Sequence, residues 1–135
     1  MVCRTAIALA ALVVSVLPAS AKQEHAVTLR WTSLPAGQHL RIRTAERQYR
    51  VQLVNPATGE ALVAGSLDGQ QFSPPEKMFL LGASHVPQPE DGGFAIVLMG
   101  ELREGLCIEW GRGSLAPENR GTTSPVRSLT LSDPD

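Results

Sequence analysis

From residue 26 onward, apolar and polar side chains alternate with period two over several short stretches. In "AVTLRW" (26–31), Val27, Leu29 and Trp31 fall on one side and Thr28 and Arg30 on the other. "HLRIR" (39–43) repeats the pattern, with Leu40 and Ile42 inward and His39, Arg41 and Arg43 outward. "YRVQLV" (49–54) places Tyr49, Val51 and Leu53 inward, Arg50 and Gln52 outward. Successive side chains of a strand point to opposite faces, so these stretches predict strands with one wet face. "NPATGE" (55–60) supplies Pro56 and Gly59 for a turn, which predicts a hairpin over 49–66. Asp68-Gly69, between "VAGSL" and "QQF", predicts a second hairpin, because a type I′ turn needs positive φ at both central positions. "SPPE" (73–76) then breaks the ladder, since proline has no N–H to donate.

The pattern changes in the second half. "KMFLLGA" (77–83) and "FAIVLM" (94–99) are apolar on both faces and short, which predicts central strands. Between them, "HVPQPEDGG" (85–93) is too rich in Pro and Gly to be regular. "GELREG" (100–105) reads as a tight hairpin pairing Met99 with Leu106, with Cys107 of "LCIEW" (106–110) opposite Leu98. "TAERQYR" (44–50) is too short for an isolated helix and reads as a turn. From Ser114 onward the chain is polar and reads as loose, with a candidate last strand at 126–131 and an end that frays. About eight short strands without a convincing helix predict an all-β fold. The candidates are a small antiparallel β-sandwich, immunoglobulin-like or jelly-roll-like, and a partly open barrel.

The first 21 residues follow a different logic. Arg4 precedes the apolar run "AIALAALVVSVLP" (6–18), and "ASA" (19–21) offers the small residues of a cleavage site. This predicts a signal peptide over 1–21, cleaved after Ala21, and an exported protein, periplasmic or secreted. Pro18 and the shortness of the run argue against a stable membrane span. The domain reading is therefore a β-domain over 22–113 followed by the polar segment 114–135.

Charge and cysteine content narrow the functional classes. Loss of Arg4 leaves 11 basic side chains against 13 acidic ones, a net charge of −2. Such a chain has no whole-surface preference for nucleic acid, and Trp31 and Tyr49 point away from the basic side chains. Cys107 is the one cysteine left after cleavage, so no intramolecular disulfide forms and apolar burial must hold the core. Its mid-strand position on an apolar wall, with Glu109 next on the same face, predicts a packed and unreactive thiol.

Few residues look like chemistry. His25, His39 and His85 lie in separate segments without metal-ligand spacing, and no cofactor motif is present. Ser84 and His85 are adjacent and so point to opposite faces of a strand, which prevents a serine–base contact. No Gly-x-Ser-x-Gly elbow occurs. Two binding candidates remain. Arg30, Arg41, Arg43 and Arg50, with His39, all take the outward parity and make one basic face if their strands are neighbours; guanidinium groups grip carboxylates and phosphates bidentately. The alternative is a solvated sheet face guarding against edge association. The other candidate is the loop 82–93, with Ser84, His85, Gln88, Glu90 and Asp91, because loops of this length often carry binding. The expectation is a non-catalytic binder of another protein or an anionic envelope component, as accessory subunit, inhibitor or assembly factor. The rivals are an enzyme or redox protein using Cys107 and a structural component of a secretion or surface assembly.

Overall fold

A computed structural model describes residues 26–86 and 96–134. Ten strands run through them. They are β1 (Thr28–Arg30), β2 (His39–Thr44), β3 (Gln48–Asn55), β4 (Glu60–Ser66), β5 (Glu76–Ser84), β6 (Val97–Met99), β7 (Glu101–Arg103), β8 (Cys107–Arg112), β9 (Arg120–Thr122) and β10 (Val126–Ser132). Helix among the described residues is limited to 3₁₀ turns at Trp31–Ser33 and Pro117–Asn119. The fold is all-β, built from two antiparallel sheets. β1 pairs with β7; the larger sheet has the order β10-β2-β3-β4-β5-β8-β9, with β6 also on β5, and neither sheet closes into a barrel. No described helix is long and apolar enough to cross a membrane.

Alternation decides which face of the large sheet is dry. Leu40 and Ile42 of β2, Val51 and Leu53 of β3 and Ala61 and Val63 of β4 all face inward and are buried. Met78, Leu80, Ile108 and Trp110 extend this layer across β5 and β8, and Trp31, Leu102, Val126 and Leu129 close it. Burying one such aliphatic side chain stabilises the fold by roughly 1.5–3 kcal/mol. Tyr49 is half-buried and meets the Trp110 ring edge-on, with centroids 5.1 Å apart and planes at 84°. The predicted hairpin over 49–66 is β3 and β4, paired from Gln48↔Ser66 to Leu53↔Ala61 and, after a one-residue shift, at Asn55↔Glu60.

Elsewhere the pairing departs from the sequence expectation. Met99 and Leu106 do not pair. Gly100 adopts φ +82°, and there the chain parts company with the large sheet: β6 pairs with Gly82–Ser84 of β5, whereas β7 pairs with β1. Cys107 consequently lies opposite Ser84, not Leu98. β6 is a short edge strand with Met99 exposed, not a central one. Trp31 is buried as expected, but through a 3₁₀ turn that ends β1 at Arg30. "QQF" is not a strand, so the hairpin predicted at Asp68-Gly69 does not form, and β4 pairs with β5 across a longer connection. The segment after Ser114 is not loose. β9 pairs with β8, and β10 pairs along the whole of β2 and buries Val126 and Leu129. Residues 1–21, Gln88, Glu90 and Asp91 lie outside the described residues.

Candidate binding site

The wet face of β2 and β3 is where basic side chains gather. Arg41 stands directly opposite Arg50 on β3 and opposite Thr130 on β10. Arg43 is opposite Gln48 and Ser128, and His39 opposite Gln52 and Ser132. Like charges directly opposite each other lower the stability of a ladder unless other contacts offset them. β4 continues the same face with Leu62 and Ala64, and Ala64 is the cross-strand partner of Arg50.

A loop over Ser66–Pro75 covers this face, and its shape follows from its residues. The Asp68 carboxylate accepts hydrogen bonds from the Gln70 N–H at 2.8 Å, the Gln71 N–H at 3.0 Å and the Ser66 hydroxyl at 3.0 Å. These bonds hold its carboxyl below the ordinary range, the Gln71 N–H contributing most. Gly69 has φ +79°, and a Cβ there would run into the Gln48 side chain. Ser73 then fastens the far end to β4. Its N–H donates to the Gly65 carbonyl at 2.8 Å, and its Oγ accepts the Gly65 N–H at 3.0 Å. The turn signal at Asp68-Gly69 is thus real, but it folds the chain back over the sheet and builds no ladder. Between the two fixed ends, Phe72 lies on the sheet with the Arg50 guanidinium 4.0 Å from its ring centroid, a cation–π contact.

The Arg50–Phe72 pair separates two hollows. One, of about 460 Å³, has Leu62 and Ala64 in its floor, Phe72, Pro74 and Pro75 in its wall and His39 and Gln52 at its rim. The other, of about 230 Å³, is lined by Arg41, Arg43, Gln48, Ser128 and Thr130. Among the described residues lining either hollow, none is acidic. Open, mostly apolar hollows with a few convergent polar groups are the usual form of a ligand site. Leu62, Phe72, Pro74 and Pro75 carry no signal in a reading that treats 70–72 as strand and the prolines only as breakers. The available clue was the Asp68-Gly69 turn followed five residues later by two prolines.

The remaining predicted residues go elsewhere. Arg30 is on β1, away from the β2–β3 face, and points at Glu101 (N–O 3.6 Å), which also binds Arg103 at 3.1 Å. Ser84 is wholly buried and donates to Glu109 Oε2 at 2.7 Å, so no substrate reaches its hydroxyl. His85 is exposed beside it in the chain. The Cys107 thiol is buried, and burial, with a further contribution from Glu109, pushes its pKa up. A thiol in that environment stays protonated and is a poor nucleophile. No three His, Cys, Asp or Glu side chains gather as a metal site among the described residues.

Comparison with family models, curated proteins and solved structures finds no match to this chain. The function must be argued from the site.

Proposed function

We propose that this protein is a non-catalytic binding domain. Its ligand surface is the wet face of β2, β3 and β4 beneath the Ser66–Pro75 loop, and its partner carries negative charge. The observation that supports this most directly is the Arg50–Phe72 contact dividing an apolar hollow from one lined by Arg41 and Arg43. Arg41 and Arg50 face each other across β2 and β3 with Arg43 nearby, and guanidinium groups grip carboxylate or phosphate bidentately. The loop is pre-shaped by Asp68 and Ser73, which reduces the ordering cost of binding. The apolar run and small-residue site in residues 1–21 support export to the periplasm or beyond, where the partner is another protein or an anionic envelope component. A β-domain of this kind is suited to an accessory subunit, inhibitor or assembly factor, and its fold does not choose among them.

Nuclear magnetic resonance mapping tests the reading. Soluble poly-glutamate, an oligouronate and anionic lipid nanodiscs are each titrated into the protein. Amide shifts should concentrate on 39–43, 48–52, 62–64 and 69–75 with at least one probe. Shifts confined to β1 and β7, or absent with every probe, would remove the proposal.

A further inference from the structure

We infer that the protein carries a second binding site, a trough at the open end of the dry layer that takes a neutral saccharide. The site is on the inward-facing side of the large sheet and does not depend on the wet-face reading above. Val63, Met78 and Trp110 belong to the core layer, with Tyr49 packed against it. The same four residues line two adjoining hollows of about 190 and 430 Å³, which share Met78, Trp110 and Arg112.

Two glycines sit beside the rings. The residue directly opposite Tyr49 is Gly65, and the one opposite Trp110 is Gly121. Packing accounts for Gly65, because a Cβ there would stand 3.3 Å from Tyr49 Cε1, so the ring lies over bare backbone. Gly121 has no such reason. A Cβ there would meet nothing within 4 Å, and its φ is not in the positive region that favours glycine. A strand glycine with open space above it is suited to the close approach of a ligand.

The rim selects the chemistry. Arg112 Nε bonds Glu76 Oε2 at 3.1 Å, Arg120 Nε donates to the Leu115 carbonyl at 2.8 Å, and Asn119 Nδ2 donates to Ser114 Oγ at 2.7 Å. Each bond holds a planar polar group beside the trough, and a guanidinium has further N–H donors beyond the one it uses here. Glu118 adds an acceptor. The Tyr49 hydroxyl, pushed above its usual pKa by burial, stays neutral and both donates and accepts. An anion would meet Glu76 and Glu118, and a cation would meet Arg47, Arg112 and Arg120. A wholly apolar ligand would desolvate these groups without replacing their hydrogen bonds. A saccharide suits the mixture. Its hydroxyls donate to carboxylates and accept from guanidinium groups, while its C–H groups lie against Met78, Tyr49 and Trp110. Connected hollows suit linked sugar rings.

The test is proton–nitrogen NMR of the protein with maltotetraose, cellotetraose and the tetramer of N-acetylglucosamine, and with tetragalacturonate as the charged control. At least one neutral sugar should shift the Trp110 indole N–H and the Gly121 amide saturably, leaving the Trp31 indole and residues 39–43 unmoved. Gly121→Val places a side chain in the open space without a clash. It should weaken that binding tenfold or more with an unchanged melting temperature. Glu118→Ala, at an exposed position, should weaken it severalfold. No binding by any neutral sugar, tighter binding of tetragalacturonate, or undiminished affinity in either variant would overturn the inference. Each of these results leaves the wet-face reading standing, since that reading fails only on its own probes.

Discussion

Arg30 and Arg103 converge on one carboxylate, whereas Arg41 and Arg50 are set opposite each other. The first cluster belongs to the small β1–β7 sheet, where Glu101 is buried and charge serves to tie the chain together. Glu104 works there in the same way. Its Oε1 accepts the Val27 N–H and its Oε2 the Leu129 N–H, both at 3.1 Å, so one side chain bridges the start of β1 to β10. In the second cluster Arg41, Arg43 and Arg50 line a hollow together with Gln48, Ser128 and Thr130. The same residue type is a brace in one region and, on the proposed reading, part of a ligand surface in the other. What separates them is the company the arginines keep, because charge alone does not distinguish structural from binding roles.

That contrast is breakable by substitution. The largest effect on stability is expected from Glu104→Ala, which removes the acceptor of two backbone N–H groups. Hydrogen bonds to charged groups contribute roughly 1.5–3 kcal/mol each when well buried, and the Val27 end is exposed, so a loss of about 2 kcal/mol in denaturant unfolding is expected. Glu101→Gln should cost less, about 1 kcal/mol, because both of its arginine partners keep substantial contact with water. A cost near zero for both would mean that the acids of this corner do not brace it.

Lowering the pH probes the binding face through Asp68. Its carboxyl is held below the ordinary value in the folded loop, so its contribution is complete above about pH 4 and lost as pH falls through the lowered folded value. Phe72 resonances and affinity for an acidic probe should hold from pH 7 to 5 and deteriorate below the ordinary carboxyl range. Asp68→Ala should weaken binding several-fold at neutral pH and remove that loop-specific acid transition. The Cys107 thiol has the opposite sign. Its raised pKa means that its contribution to stability is complete below the ordinary thiol range and declines as pH rises through the folded value. Native alkylation of Cys107 should be slow and should accelerate only in denaturant. The smallest effect is expected from Arg43→Gln, within about 0.5 kcal/mol in stability, as for other surface substitutions, despite a clear loss of binding.

The alternating strands were legible because each has one wet and one dry face. His39, Arg41, Arg43 and Arg50 were placed on the correct side by parity alone. Arg30 shares their parity but not their sheet, since parity says nothing about which strands become neighbours. "FAIVLM" misled for a related reason. An apolar run does not reveal whether it is covered from both sides, and the turn at Gly100 sends β6 and β7 to different sheets instead of folding one back on the next strand. The candidate last strand at 126–131 is β10, anchored along β2 by Val126 and Leu129, whereas β9 was missed because the polar residues before it carry no alternation. Phe72 was the costliest omission. Its role depends on a loop bent back by Asp68, Gly69 and Ser73, a tertiary contact with Arg50 that no local pattern encodes.

The most direct test compares charge reversal in the two clusters with one acidic probe. Affinity for soluble poly-glutamate and thermal stability are measured together for Arg43→Glu and Arg30→Glu. The account predicts that Arg43→Glu loses binding by tenfold or more with an unchanged melting temperature, while Arg30→Glu keeps its affinity and melts earlier. Equal affinity losses in both variants, or retained binding in Arg43→Glu, would contradict it.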